Sequence, residues 1–298
     1  MKFIPVDVPP QARQAFEHNY NAITRNRNKL MLFAADQKIE HLNNDFYGAK
    51  IAPDALNPQH LFEIASKGTI GAFATQLGLI ARYGGAFSNI NYVIKLNSKT
   101  NLIPTEQRDP MSQQLWSMHD VVNFTQHSNL PVCGVGYTIY LGSEYETVML
   151  SQAAQMIYQA HQVGLIAILW IYPRGKSIAH DADPALLAGA AGLANALGAD
   201  FVKIKAPDAK DGKTNTEWLK IITQAAGNTQ VICAGGAQTD AENFLQQLYD
   251  QIHHGNTAGI AVGRNIFQYP TEKAINMTHA IASITYNGKT PKEALELL

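Results

Sequence analysis

The sequence predicts an α/β fold, a single (β/α)8 TIM barrel with an extra N-terminal helix. Three observations carry this prediction. Eight short apolar, β-rich runs punctuate the chain, helix-period segments lie between most of them, and residues a core has no use for stand at the ends of several runs. The runs are Leu30–Ala35, Gly71–Thr75, Tyr92–Leu96, Val132–Thr138, Leu165–Ile171, Phe201–Ile204, Val231–Ala234 and Gly259–Val262. They are apolar without alternation, as strands of a parallel sheet covered on both faces should be. The clearest helical segments are Asn57–Lys67, Ser143–Val163, Asp183–Leu197, Thr216–Ala226 and Thr239–His253, and Gln11–Asn26 reads as the extra helix. Eight strands alternating with helices favour a closed barrel over an open doubly wound sheet. No linker, low-complexity tract or charge run divides the chain, so residues 1–298 read as one domain.

Composition narrows the function classes. The chain is 46% hydrophobic and 16% charged with a formal net charge of -1, enough apolar content for a large core and no basic field for nucleic acid or a membrane surface. No apolar run reaches the length of a membrane span, and the N-terminal residues lack a signal-peptide core. Cys133 and Cys233 lie in apolar runs and read as buried strand thiols, which suits a reducing cytoplasm. No metal is expected: the ten histidines are scattered, His253 and His254 are adjacent and would point apart on a helix, and His-x-His and Cys-x-x-Cys are absent.

In a barrel of this kind chemistry sits where strands end and loops begin. Asp36 follows the first run, Lys95 lies in the third, Trp170 and Tyr172 close the fifth, and Lys203 and Lys205 occupy the sixth and its end. Lysines two apart on a strand face the same side. Confined together, both would lose pKa through desolvation and mutual repulsion, and a neutral amine is what Schiff-base chemistry needs. Structural ion pairs also put lysines in such places, so the residues leave both readings, and either lysine, open. A Tyr172 hydroxyl near a lysine cation, its pKa lowered by that charge, is suited to proton transfer; a lone rim tyrosine is equally a packing residue. Gly235-Gly236 after the seventh run and Gly263-Arg264 after the eighth stand where many barrels hold a phosphate. His41, beside Glu40, reads as a hydrogen-bonding loop residue.

The stretches Ala35-Asp-Gln-Lys-Ile-Glu-His41, Lys95-Leu-Asn97, Val135-Gly-Tyr-Thr-Ile-Tyr140, Trp170-Ile-Tyr-Pro-Arg-Gly175, Val202-Lys-Ile-Lys205, Gly235-Gly236 and Gly259-Ile-Ala-Val-Gly-Arg-Asn265 run in order across most of the chain. Together they resemble the archaeal-type class I fructose-bisphosphate aldolases, within the wider DeoC/LacD-like group. The resemblance implies a class I aldolase that reversibly cleaves fructose 1,6-bisphosphate to dihydroxyacetone phosphate and glyceraldehyde 3-phosphate, without cofactor. It selects Lys203 as the Schiff-base lysine, Tyr172 as proton donor and acceptor, and Asp36 as the acidic partner. Trp170, His41, Lys95 and Lys205 become substrate contacts, Lys205 also the neighbouring cation, and Gly235, Gly236, Gly263 and Arg264 the phosphate cradle. A small-molecule sugar phosphate is then the partner, and a cytoplasmic homo-oligomer in glycolysis and gluconeogenesis the setting. Two departures touch substrate choice: Gln37-Lys38 stands where the family has His-Gly, and Ala206-Pro-Asp replaces Tyr-Thr-Gly. They keep two alternatives in view, a related synthase or thiolase and a catalytically silent phosphate-sugar-binding barrel.

Overall fold

A computed structural model describes residues 3–103 and 109–298. All eight apolar runs are strands: β1 (Leu30–Ala34), β2 (Ala72–Gln76), β3 (Tyr92–Lys95), β4 (Val132–Leu141), β5 (Ile166–Pro173), β6 (Phe201–Ile204), β7 (Gln230–Ala234) and β8 (Gly259–Val262). They pair in parallel in chain order, and β8 returns to β1 with Leu30 opposite Gly259, closing the barrel. The predicted fold class is the observed one. β4 and β5 run past their apolar runs, and these extensions carry Tyr140 and Tyr172. Tyr172 therefore lies within the fifth strand.

Alternate strand residues face opposite ways. Leu30, Leu32, Val93, Ile166, Ile168, Phe201 and Ile232 meet inside the barrel, while Met31, Phe33, Ile94, Ala167, Leu169 and Val202 pack outward against the helices. Both faces are apolar, which is why the runs show no alternation. The β4 position facing the Trp170 ring is Gly136, where a Cβ would come within 2.3 Å of the ring. The indole thus occupies space that a missing side chain leaves.

The expected helices form at Pro58–Lys67, Glu146–Gln162, Pro184–Leu197, Asn215–Ala225 and Ala241–Tyr249. Local chemistry fixes their ends. The Asp183 carboxylate accepts from the N–H groups of Ala185 and Leu186 ahead of Pro184, and Gly198 ends that helix at φ 88°. Helices at Leu77–Tyr83, Met118–Ser128 and Thr271–Asn287 are additional to the sequence reading. Met118–Ser128 is rich in weak helix formers, and its one clear signal is the Ser117/Asp120 capping box. Thr271–Asn287 is buried continuously from Ala280 to Thr285, so no polar stripe marks it as amphipathic.

The N-terminal helix, Arg13–Thr24, sends Phe16, Tyr20 and Ile23 into the interior cluster and closes the N-terminal end of the barrel. Fully buried His161 joins this plug to the strands. Its Nδ1 lies 2.8 Å from the Asp7 carboxylate and its Nε2 3.2 Å from that of Asp200, which also accepts the Ala167 N–H at 2.8 Å. Asp200 immediately precedes β6, so the strand carrying Lys203 is pinned at its base.

Gly136→Ala should drive the indole off its seat. The expected result is a loss of about 1–3 kcal/mol in urea unfolding, the usual cost of overpacking, together with altered tryptophan fluorescence. An unchanged protein by both measures would show that the indole has room to spare.

Candidate active site

The C-terminal ends of the strands surround a cavity of about 360 Å³. Asp36, His41, Trp170, Tyr172, Lys203, Lys205, Gly235, Gly236, Gly263 and Arg264 all reach it, so the structure gathers ten of the eleven residues singled out from sequence. Lys95 is the exception. It is fully buried below the cavity, its Nζ donating to the Asn97 carbonyl at 2.9 Å and to Asn97 Oδ1 at 3.0 Å. Its inward position on β3 is as expected, but it sits too deep to be one of the lining residues.

Lys203 sits at the floor of the cavity, 4% exposed, its Nζ 5.6 Å from the centre of the Trp170 ring. Among the described residues its amine has no hydrogen bond and no ion pair. Burial holds its pKa below the ordinary lysine range; the Asp36 and Glu40 carboxylates oppose that shift and Arg264 adds to it. Lys205, expected as the neighbouring cation, stands at the rim of the same cavity. That residue lies beyond the end of β6, half exposed, with its ammonium paired to the Asp181 carboxylate. The strand ends at Ile204, as the sixth apolar run does, and the rim carboxylate of Asp181 takes up the second charge.

Among the described residues, five that line this cavity carry a buried polar atom without a protein partner: Trp170 Nε1, Asp36 Oδ1, Gln37 Oε1, Asp45 Oδ2 and Gln251 Oε1. A buried donor and a buried acceptor left open beside a cavity await a ligand that supplies the missing bonds. Tyr172 departs from expectation in sign. Burial raises its pKa, Asp36 and Glu40 raise it further, and Arg174 and Arg264 only partly offset them. Its hydroxyl is therefore a neutral phenol in the empty site, a hydrogen-bond donor that gives up its proton reluctantly until a cation forms beside it.

On one side of the cavity Gly236 adopts φ 70° and its carbonyl accepts from Arg264 Nε at 3.1 Å. Asn265 ties the two glycine loops together, its Nδ2 donating to the carbonyls of Gly235 at 2.8 Å and Ala237 at 3.0 Å. A loop pair of this kind, backed by a guanidinium, suits an anion. On the other side Arg174 lies 5.5 Å from the Tyr140 ring centre and borders a second, adjoining hollow with Lys99.

Sequence reasoning missed Glu40, Tyr140 and Arg174, which also line the cavity. Glu40 accepts from Ser98 Oγ at 2.9 Å and lies 3.8 Å from His41 Nε2. Glu40, Tyr140 and Arg174 stood inside the quoted motifs but had no spacing signal of their own. Both cysteines are buried free thiols, as expected. Among the described residues no three His, Cys, Asp or Glu side chains are grouped as a metal site, and no helix is long and apolar enough to cross a membrane.

The family model for DeoC/LacD family aldolases matches residues 30–269. A Methanocaldococcus jannaschii protein described as fructose-bisphosphate aldolase/6-deoxy-5-ketofructose 1-phosphate synthase is 50% identical over 294 residues, covering 99% of this chain and 93% of its own. The solved structure of a fructose-bisphosphate aldolase from Slackia heliotrinireducens is 48% identical with a TM-score of 0.96, over 99% of this chain and 93% of that one. An archaeal fructose-1,6-bisphosphate aldolase, solved with its catalytic lysine bound to the carbinolamine intermediate, is 28% identical with a TM-score of 0.77, over 91% of this chain and 99% of that one.

The glycine loops yield a direct test. Sulfate soaked into crystals should bind beside the backbone of Gly235, Gly236 and Gly263, and Arg264→Ala should raise KM about 10-fold while kcat changes less, the signature of lost uniform binding. Sulfate found only elsewhere would remove the cradle from the site.

Proposed function

The chain belongs to the DeoC/LacD family of aldolases, and on that footing we propose that Lys203 is the amine with which it cleaves fructose 1,6-bisphosphate reversibly into dihydroxyacetone phosphate and glyceraldehyde 3-phosphate. The enzyme is a carbon–carbon lyase of the class I, Schiff-base type. One observation carries the assignment of the lysine: an almost completely buried amine, free of hydrogen bonds and ion pairs among the described residues, at the floor of the cavity.

The steps follow from that environment. Neutral Lys203 adds to the ketone carbonyl, and the carbinolamine loses its hydroxyl as water to give an iminium. The C4 hydroxyl gives up its proton, the C3–C4 bond breaks, and its electron pair moves into the iminium to leave an enamine while the aldehyde departs. Protonation of the enamine at carbon and hydrolysis of the new iminium release the second product and restore the amine. Tyr172, held as the neutral phenol, gives its proton to the departing hydroxyl, regains one from the C4 hydroxyl directly or through Asp36, passes that to the enamine carbon, and is restored by the water that hydrolyses the last iminium. Asp36, with one oxygen unpaired, receives the hydroxyl proton or orients that hydroxyl. Trp170 Nε1 offers a hydrogen bond to a substrate oxygen. The glycine loops with Arg264 hold one phosphate, and Arg174 across the mouth meets the other.

A second reading has its own support. The 50%-identical relative is also described as a 6-deoxy-5-ketofructose 1-phosphate synthase, a product with a single phosphate. The same enamine, formed on Lys203, would then join a different aldehyde, and Arg174 would face no phosphate. In either case the enzyme works in the cytoplasm as a homo-oligomer. Its two buried free thiols agree with a reducing compartment. With the bisphosphate as substrate it belongs to glycolysis and gluconeogenesis.

Borohydride added in the presence of fructose 1,6-bisphosphate should leave a stable adduct on the peptide containing Lys203. Lys203→Met should abolish adduct and turnover, and Lys205→Ala should keep the adduct. An adduct mapped to Lys205, or none with any ketose phosphate, would overturn the assignment. Arg174→Ala separates the two readings: cleavage of the bisphosphate should fall at least about 10-fold while a ketose 1-phosphate is little affected. Activity should also survive prolonged EDTA treatment; loss that zinc restores would point to a metal-dependent mechanism.

A further inference from the structure

Two adjacent residues after β1 depart from the family pattern, and the structure separates them. Lys38 is fully engaged. Its Nζ donates to the carbonyls of Ala55 at 3.1 Å and Leu56 at 2.8 Å, and it stands 4.1 Å from the centre of the Phe46 ring. It fastens the loop to the turn at Pro53–Leu56. Gln37 is engaged by nothing of the kind. Among the described residues its amide makes no hydrogen bond at either end, and its Oε1 is buried as well. A buried polar atom left unpaired costs stability, and a methionine would fill the same space without that cost. Folding therefore does not account for this side chain.

The cavity accounts for it. Gln37 borders the cavity together with the glycine loops. A Cβ at Gly263 would stand 2.9 Å from Gln37 Nε2, so the amide lies against the cradle in space that a missing side chain leaves. Nε2 is the end that is not shut away, an uncommitted N–H donor beside Gly263. The charges nearby give that donor its importance. The guanidinium of Arg264 is shared: its Nε donates to the Gly236 carbonyl at 3.1 Å, and its Nη1 lies 3.6 Å from the buried carboxylate of Asp45. Asp36 brings a second carboxylate to the same cavity. An anion entering here meets one shared cation and two carboxylates, so neutral N–H groups carry much of its binding. We propose that Gln37 is a specificity-determining residue, whose Nε2 donates to the phosphate held at the glycine loops and so favours phosphorylated ketoses over unphosphorylated ones.

This rests on the aldolase reading, in which a phosphate lies in the cradle while Lys203 attacks the ketone. The amide has a property that neither a histidine nor a glutamate at this place would share. It is a neutral donor at every pH, whereas an imidazole changes charge near neutrality and a carboxylate repels the phosphate.

Dihydroxyacetone phosphate and dihydroxyacetone offer Lys203 the same ketone and differ in the phosphate. Borohydride trapping of each on Lys203, over a range of concentrations, measures the preference for the phosphorylated ketone. Gln37→Met should lower that preference about 10-fold, the effect of one N–H bond to an anion. Its urea midpoint should be equal to or above that of the unaltered protein, because the orphaned Oε1 is gone. Gln37→Glu keeps the shape and should lower the preference further at neutral pH, by repulsion. An unchanged preference in Gln37→Met would overturn the proposal. So would equal losses with both ketones and a lower urea midpoint, the behaviour of a packing residue. Should Gln37→Met fail to fold, an unchanged preference in Gln37→Glu rejects the proposal in its place. If neither ketone leaves an adduct on Lys203 in the unaltered protein, the assignment of the nucleophile fails instead. Gln37 is then tested by calorimetric binding of inorganic phosphate, which Gln37→Met should weaken about 10-fold; equal affinity rejects its role.

Discussion

The structure turns on one costly arrangement: an amine, Lys203, that has no partner among the described residues and is taken almost completely out of water at the floor of the cavity. An ammonium in that place is disfavoured by desolvation, and the free amine is the form that attacks a carbonyl. Everything nearby sustains the condition. The walls are continuous apolar strands, the indole of Trp170 covers the amine, and the second lysine of the Lys-x-Lys pair is drawn to the rim by Asp181. The two carboxylates closest in effect, Asp36 and Glu40, moderate the shift without forming an ion pair with the amine.

That condition explains features far from the cavity. Water must be excluded from below as well as above, and the helix Arg13–Thr24 does this by filling the N-terminal end with Phe16, Tyr20 and Ile23. The Asp7–His161–Asp200 bonds join this plug to the residue just before β6. A strand only four residues long thus has its base fixed by charge-assisted bonds and carries Lys203 one residue short of its end. The C-terminal face is the adaptable half. There the Gly235–Ala237 and Gly263–Asn265 loops are knit by Asn265, while the loop after β1 brings Glu40 and His41.

Much of this was legible in the residues. Strands buried on both faces leave unbroken apolar runs, and all eight were found because none depends on alternation. The site was legible where polar residues interrupt such runs, as at Asp36, Trp170 and Lys203. What stayed hidden depends on distance across the barrel. Spacing put Lys203 and Lys205 on one face but could not show that Asp181 waits at the rim to pair with Lys205. The sign of the Tyr172 shift depends on burial and on Glu40, which lies far away in sequence. Lys95 looked like a substrate contact because depth along β3 cannot be read from the five-residue run Tyr92–Leu96. Arg174 and Tyr140 become part of the site only because β4 and β5 extend beyond their apolar stretches.

The central claim is that Lys203, made neutral by burial, bonds covalently to a ketose phosphate. A crystal soaked in fructose 1,6-bisphosphate and flash-cooled tests it most directly. Continuous density should run from Lys203 Nζ to the former carbonyl carbon, with Trp170 Nε1 and Asp36 Oδ1 finally paired to ligand oxygens. An intact sugar lying in the cavity beside an unmodified Lys203, with both atoms still unpaired, would contradict the account.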